Sequence, residues 1–327
     1  MNNKKYSNRE AHIRKKNTTT MIILAIALVF IFLSQTELGG EIADLFFYED
    51  TPVVDNRPAA APEAGEEMLV YYFDVDQGDS ELIRIPESTS TDGYFDILID
   101  TGVYDEYKNL KAYLMDLQVT ELEAVVVTHP HADHMGSMAT VIEDFGIGKF
   151  YMPAFPESLT PTSVAYEKML DSLMEKDLGI TVIKEGTVIE ATDTASVTVM
   201  GPTGSGDYDD LNNYSAIIKV VYGDTSFLFT GDAETPEFQE AIDGGWNLDS
   251  DVLKVGHHGS WNSTDKNVMD AVSPSLAIIS CGEGNSYGHP HDEVIDLLED
   301  YSVPYYRTDY EGTILVSSDG TEIKKVS

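Results

Sequence analysis

Residues 128–136 read THPHADHMG and hold the densest group of potential metal ligands in the chain. Three imidazoles and one carboxylate fall within six residues, at His129, His131, Asp133 and His134. They follow a short apolar run that predicts a buried strand ending in a polar turn. Such a loop can direct His129 and His131 to one side and Asp133 and His134 to the other. The spacing predicts two sets of ligands, which suit zinc, or manganese or iron at a more oxygen-rich site. A histidine-rich surface loop without a metal is the alternative.

A carboxylate that could join the two sets lies further along the chain. Asp232 ends an apolar run beside Gly231, where it can face the histidine loop and bridge two cations; an ordinary turn aspartate is the alternative. Two cations that share a carboxylate can lower the pKa of a bound water and provide hydroxide at neutral pH. Asp133 would then both bind a metal and orient that hydroxide, and so is a candidate catalytic residue.

The pattern HxHxDH after an apolar strand resembles the signature of the metallo-β-lactamase superfamily. Six further motifs, in the family's order, resemble the hydrolase domain of ComEC-type competence proteins and their secreted relatives. These motifs are FDVDQGDS at 73–80, LIDTG at 98–102, FLFTGD at 227–232, LKVGHHGS at 253–260, SYGHPH at 286–291 and RTDYEG at 307–312. The resemblance extends over residues 67–327 and implies an α/β fold, the αββα four-layer sandwich.

The resemblance also implies roles for individual residues. His257 would complete the second metal site, with His258 as the alternative ligand or as a catalytic contact to a substrate oxyanion. His289 would reach the metal centre from the C-terminal half, where it could donate a proton to a leaving group or bind phosphate; a plain surface loop is the alternative. Ser260 and Arg307 are further candidates for substrate contact, although Arg307 could equally form a structural ion pair. The implied ligands are His129, His131, Asp133, His134, Asp232 and His257, for two divalent metals.

One departure from most of the superfamily concerns the first metal. No histidine lies between His134 and Asp232, so His129, His131 and Asp232 would be its only protein ligands. Three ligands plus water still make a workable catalytic site. The run NNYS at 212–215 stands where the missing histidine would be expected, as in the ComEC-like subgroup. Asn213 could be a weak oxygen ligand, a substrate contact or only a turn cap.

Apolar periodicity predicts the elements around these motifs. Strands are expected near residues 69–74, 80–85, 96–99 and 149–152, and a hairpin over 216–230. A helix with Leu110 and Leu114 on its inner face should follow residue 102. Ser137 should cap a second helix, and a third over 163–178 should turn Met174 inward. Cys281 follows an apolar run and is expected to be a buried hydrophobe.

The N-terminal region predicts a separate membrane segment. A basic cytoplasmic tail (1–17) precedes an uncharged apolar stretch (18–34), which is at the lower length limit for a spanning helix. Positive charge before the stretch predicts the N-terminus inside and the enzyme domain (67–327) outside the cell membrane. A cleaved signal peptide, and hence secretion, is the alternative. The proline-containing residues 35–66 should form an extended linker.

Net charge bears on the substrate. The chain carries a formal charge of −37, from 20 basic and 57 acidic side chains. Such a surface repels nucleic acid unless a local groove is basic or metal-lined. The family resemblance makes a dinuclear phosphodiesterase with a nuclease-like site the leading hypothesis, acting on nucleic acid or a cell-wall polymer. The alternatives are a β-lactamase or other ester or amide hydrolase, and a non-catalytic metal-binding module. No protein partner is identifiable.

Overall fold

The computed structural model describes residues 67–327 apart from 89, 91, 92 and 205. The predicted tail (1–17), signal-anchor (18–34) and linker (35–66) lie outside the described residues. Every helix within the described ranges is too short or too polar to cross a membrane.

Fifteen strands occur in the described part of the chain. In order they are β1 (Met68–Tyr72), β2 (Glu81–Pro86), β3 (Tyr94–Ile99), β4 (Glu121–Val126), β5 (Gly146–Pro153), β6 (Ile180–Ile183), β7 (Val188–Ala191), β8 (Ala195–Gly201), β9 (Ile217–Tyr222), β10 (Thr225–Phe229), β11 (Val252–Lys254), β12 (Leu276–Ile279), β13 (Tyr305–Arg307), β14 (Ile314–Ser318) and β15 (Ile323–Lys325). They form an eight-stranded sheet, β15-β14-β1-β2-β3-β4-β5-β6, and a seven-stranded sheet, β13-β12-β11-β10-β9-β8-β7.

The two sheets pack face to face over one apolar core. Side chains such as Val70 and Ile99 from the first sheet meet Val197 and Phe229 from the second, and all four are buried. Strand β9 is buried at every position, because its other face is covered as well. Sheets covered on both sides read as continuous apolar runs, which is how the sequence presents them.

Helices cover both outer faces. They are α1 (Tyr107–Asp116), α2 (Ala132–Met135), α3 (Met138–Asp144), α4 (Val164–Glu175), α5 (Thr235–Asp243), α6 (Lys266–Val272), α7 (Asp292–Asp300) and α8 (Thr308–Glu311). An outer core joins α1, α3 and α4 to the first sheet, and another joins α5, α6 and α7 to the second. The predicted αββα sandwich is confirmed.

Two local predictions about helices are wrong. Met174 was expected to face inward but is 70% exposed, because Met169 and Leu173 fill the inner face of α4. Ser137 does precede α3, but its hydroxyl makes no capping hydrogen bond and instead donates to the Val103 carbonyl. Side-chain direction at a helix end depends on neighbours that a local pattern does not contain. Leu110, Leu114 and Cys281 are buried as predicted.

Candidate metal centre

The histidine loop joins β4 to α2 at the end of the first sheet, where the adjacent parallel strand β3 ends in Asp100. The Asp100 carboxylate accepts hydrogen bonds from the backbone N–H and the hydroxyl of Thr128, at 2.8 and 2.6 Å. Its Oδ2 also lies 2.7 Å from Nδ1 of His134. Because Nδ1–H of His134 donates to Asp100, Nε2 of His134 is left to face the centre of the loop.

Six described residues supply the donor atoms of two adjoining groups, and Asp232 belongs to both. One group consists of His129, His131 and Asp232, and the other of Asp133, His134, Asp232 and His258, each with its ligand atoms within 4.8 Å of one another. Nε2 of His129 lies 2.9 Å from Nδ1 of His131. Oδ1 of Asp232 lies 3.1 Å from Nε2 of His134 and 3.6 Å from Nε2 of His258.

The donor atoms at the centre fit divalent cations. Oδ1 of Asp232 and Nε2 of both His134 and His258 are buried and have no hydrogen-bond partner. Buried polar atoms without partners are costly and rare in folded proteins. Imidazole nitrogen and carboxylate oxygen, converging in this way, are the ligands that zinc, manganese and iron accept. A cation would satisfy all three atoms at once.

The charges of the buried groups bear on metal binding. Burial opposes ionisation of Asp232, but the imidazoles of His134, His258 and His129 outweigh it and hold the pKa of Asp232 well below the usual range. Burial also works against charge on His258, yet the carboxylates of Asp232 and Asp79 raise its pKa to about 10, so a cation bound at Nε2 would displace a proton from that ring. The bridging carboxylate is therefore negatively charged near pH 7, as a metal ligand must be.

The geometry favours His258 over His257 as the ligand, which reverses the preference drawn from the sequence. Both residues adopt left-handed backbone conformations, with φ of 48° and 54°. The turn directs His258 into the second ligand group. His257 remains partly exposed, with Nε2 at 3.6 Å from Oδ2 of Asp232 and 3.4 Å from Nδ2 of Asn212. His257 belongs to neither ligand group among the described residues.

A second layer of buried polar groups supports the ligands. Ser215 accepts a hydrogen bond from the Asp232 backbone N–H and lies 3.2 Å from Nδ1 of His129. It occupies the region where a middle histidine was expected. Asp79 lies 3.2 Å from Nδ1 of His258 and accepts a hydrogen bond from the buried ammonium of Lys254. Asp79 and Lys254 were not predicted as site residues, although a lysine within the apolar run VLKV at 252–255 is a signal that sequence inspection could use.

A cleft of about 350 Å³ opens over the two groups. None of its lining residues is lysine or arginine: they are Gln77, His131, Ala132, Asp133, Asn212, Asp232, His257, His258, Tyr287 and His289. His289 was predicted to reach this place, and the structure puts it there. Asp133 is partly exposed to the cleft, with Oδ2 at 3.5 Å from Nε2 of His258.

The three predicted substrate contacts lie elsewhere. The Asn213 amide donates to Glu234 at 2.8 Å, and its neighbour Asn212 lines the cleft instead. Ser260 is buried outside the lining. Arg307 forms two hydrogen bonds with Asp309, at 2.9 and 2.6 Å, and lies over the Tyr310 ring. Arg307 is thus the structural ion pair that was the alternative.

Comparison with known proteins gives the family. A model of the "Metallo-beta-lactamase superfamily" matches residues 89–283. The chain belongs to the metallo-beta-lactamase superfamily. It is 31% identical over 318 residues to "ComE operon protein 3" of Bacillus subtilis, a match over 91% of this chain and 38% of that protein. It is 29% identical to "Competence protein ComA" of Neisseria gonorrhoeae, over 80% of this chain and 33% of that protein.

These matches confirm the resemblance to ComEC-type competence proteins. The chain spans only about a third of the length of these curated relatives. Among solved structures, a metallo hydrolase from Ignicoccus hospitalis is similar over 76% of this chain and 98% of that one, with 15% identity and a TM-score of 0.49.

Proposed function

We propose that this superfamily member is a dinuclear metal-dependent phosphodiesterase. The observation that carries the proposal is the pair of buried ligand groups that share Asp232. His129, His131 and Asp232 would hold one divalent cation. Asp133, His134, Asp232 and His258 would hold the other. The donor set suits zinc, with manganese or iron as alternatives.

When bound, two cations at such a site acidify a water and offset the negative charge that builds up during attack on phosphorus. The residues around the cleft would orient the water and the substrate and move protons. Asp133 borders the cleft and can accept a proton and orient the attacking water. His289 faces the same space and can donate a hydrogen bond to a substrate or leaving-group oxygen. His258 serves as a ligand in this scheme, with Nδ1 at 3.0 Å from the Ser280 carbonyl.

The substrate is proposed to be a compact phosphodiester. A cleft of about 350 Å³ is at the small end of ligand sites. Its lining has no lysine or arginine, and the chain's net charge is −37. A nuclease track usually supplies lysine or arginine to each phosphate it contacts. A small ester group at the end of a cell-wall polymer satisfies these limits.

Nucleic acid is the second candidate, and the relatives favour it. The Neisseria gonorrhoeae relative is named "Competence protein ComA", and a Haemophilus influenzae relative with 28% identity is named "Recombination protein 2". An exposed single-strand end could enter a narrow cleft where a duplex could not.

The test is to purify the full chain, measure bound metal, and assay bis(p-nitrophenyl) phosphate, single- and double-stranded DNA, and a chromogenic cephalosporin. We expect about two metals per chain and turnover of the small phosphodiester. His134→Ala should lower that rate at least about 100-fold, whereas the exposed Asp116→Asn should not. Turnover of the cephalosporin or a carboxyl ester without any phosphodiester would contradict the proposal. A metal-loaded chain inert towards every substrate would favour the non-catalytic module.

We further propose that residues 18–34 anchor the chain, with the enzyme domain outside the cell membrane. The basic residues before an uncharged apolar stretch support this orientation. Alkaline extraction of membranes should leave the chain in the pellet, and external protease should digest it in intact cells. A shortened chain in the medium would indicate cleavage and secretion instead.

A further inference from the structure

The wall of the cleft opposite the ligand groups contains a side-chain amide whose orientation is fixed. Gln77 lies in the turn after β1, and its Oε1 accepts a hydrogen bond from the Gly282 backbone N–H at 3.1 Å. A backbone N–H can only donate, so the oxygen of the amide must face Gly282. The amide nitrogen therefore faces the other way, where it lies 3.3 Å from Nδ1 of His289.

This contact selects the tautomer of His289. An amide NH₂ can only donate, so Nδ1 of His289 must accept and cannot carry a proton. A neutral imidazole has one N–H, which is then on Nε2. Within the described part of the chain, no hydrogen bond uses Nε2 of His289. The ring borders the cleft, and its donor is therefore available to a bound molecule.

The surroundings of both residues hold this arrangement in place. Asn285 binds the backbone of His289 on both sides: its Oδ1 accepts from the N–H at 3.0 Å and its Nδ2 donates to the carbonyl. Gly282 lies very close to the turn that contains Gln77. A Cβ on Gly282 would lie 2.1 Å from Oδ1 of Asp76 and 2.7 Å from the backbone nitrogen of Gln77. The loop that contains Gly282 and the turn that contains Gln77 are thus in close backbone contact.

The charge state of His289 agrees with this assignment. Burial and the neighbouring imidazoles of His258, His257 and His291 lower its pKa to about 4. The hydrogen bond leads to the same state without reference to titration, because an Nδ1 that accepts from the Gln77 amide leaves the ring with a single proton and no charge.

We propose that Gln77 is a positioning residue that holds His289 in the Nε2–H tautomer, so that this N–H donates to an oxygen of the substrate. This role rests on the proposed function, since it assumes a substrate oxyanion in the cleft. The side-chain amide of Gln77 thereby decides whether the cleft presents a donor or an acceptor at this point.

The tautomer can be observed directly, without turnover or metal. The full chain, labelled with ¹⁵N-histidine in detergent at pH 8, should show the ring coupling pattern of an Nε2–H imidazole for His289, assigned by its loss in His289→Gln. Gln77→Glu replaces the donating amide by a carboxylate, so His289 should move to the Nδ1–H or doubly protonated form. Gln118→Glu makes the same charge change at an exposed position and should leave the spectrum unchanged.

Kinetics on bis(p-nitrophenyl) phosphate complete the test. In Gln77→Glu, kcat should fall roughly 10- to 100-fold, as for other orienting partners of site residues, while Gln118→Glu keeps the original rate. Gln77→Met, which can neither donate nor accept in this way, should give mixed tautomers and an intermediate rate.

The proposal is overturned if His289 carries its proton on Nδ1 in the original chain, if Gln77→Glu leaves the ring pattern unchanged, or if the tautomer moves and kcat does not. An Nε2–H ring that responds to Gln77→Glu in a chain inert towards phosphodiesters supports the positioning contact while the proposed function fails.

Discussion

The backbone at residues 257–258 decides which histidine can bind a metal. The family resemblance favoured His257, which ends the apolar run. Two consecutive non-glycine residues with positive φ interrupt the extended backbone at this point. Left-handed backbone in such residues costs of order 1–3 kcal/mol each and persists where the surrounding structure enforces it. The residue types in HHGS do not predict this turn. Sequence inspection could therefore identify His257 and His258 as candidates, but not which of the two enters the site.

Removing each of these histidines in turn tests the assignment. His258→Ala takes a donor from the second ligand group, so we expect one metal to be lost from the two bound. His257→Ala leaves both groups complete and should retain two metals. Elemental analysis of the full-length variants after exhaustive dialysis measures the difference. The opposite pattern would restore His257 as the ligand.

The turns that carry the site pack against one another with no spare space. The histidine loop rests on the turn after β1, where a Cβ on Gly78 would lie only 2.4 Å from the Asp133 carbonyl oxygen. The Asp79 backbone N–H also donates to this carbonyl, at 3.2 Å. Glycine at position 78 therefore allows the histidine loop to lie in direct contact with this turn.

Adding one methyl group there should disturb both the fold and the site. Gly78→Ala is expected to lower the free energy of unfolding by about 1–3 kcal/mol and to weaken metal binding, because Asp133 must shift. Gly179→Ala is the matched control, since a Cβ there has nothing within 4 Å. Urea unfolding and metal titration of the two variants give the comparison. Equal behaviour of both would show that the contact at Gly78 is easily relieved.

Helix α5 contains a buried acid whose charge is unfavourable in the folded chain. Glu237 is fully buried, and burial, with Glu240 and Glu234 nearby, raises its pKa well above 4.5 despite the Ser215 backbone N–H. A raised pKa means that the folded state binds the proton more tightly than the unfolded state. The resulting stabilisation is complete below about pH 4.5 and is lost as pH rises towards the folded-state pKa.

Glu237→Gln should therefore stabilise the protein more at pH 8 than at pH 4. Glutamine cannot ionise, so the variant escapes the loss that the original chain undergoes. The measurement is the urea unfolding free energy of both chains at the two pH values, with the exposed Glu175→Gln as the control. An equal difference at pH 4 and pH 8 would mean that Glu237 is not protonated on folding.

Most helices and strands, and the loop that contains the histidine cluster, were predictable from the sequence. Apolar runs and the alternation of apolar and polar residues correctly predicted strands such as β2, β9 and β10. In these strands the apolar residues are buried, as such a pattern requires. The substrate contacts were not predictable. Whether Asn212 or Asn213 borders the cleft depends on Glu234. This residue precedes α5 and accepts a hydrogen bond from the Asn213 side-chain amide. Arg307 is satisfied by Asp309 two residues away, a contact that only the geometry of the turn makes clear.

The charge of the whole molecule should be visible in its stability. A net charge of −37 favours expansion of the chain through self-repulsion. Raising monovalent salt from about 0.01 M to about 0.1 M shortens the Debye length from about 30 to about 10 Å, which should raise the urea midpoint of unfolding. Urea is suitable because it adds no ions. An unchanged or lower midpoint would mean that local ion pairs, and not repulsion, dominate.

The pairing of β1 with β14 affects how easily this domain can be inserted into other polypeptide chains. Met68 at the beginning of β1 lies opposite Ser318 at the end of β14, and β15, the last strand, pairs with the other side of β14. The first and last strands of the domain are therefore two positions apart in the same sheet. A domain whose ends lie close together can be inserted into a host chain, or permuted by a short connection between its ends, without rearrangement of its interior. The same folded domain is thus suited to very different protein architectures.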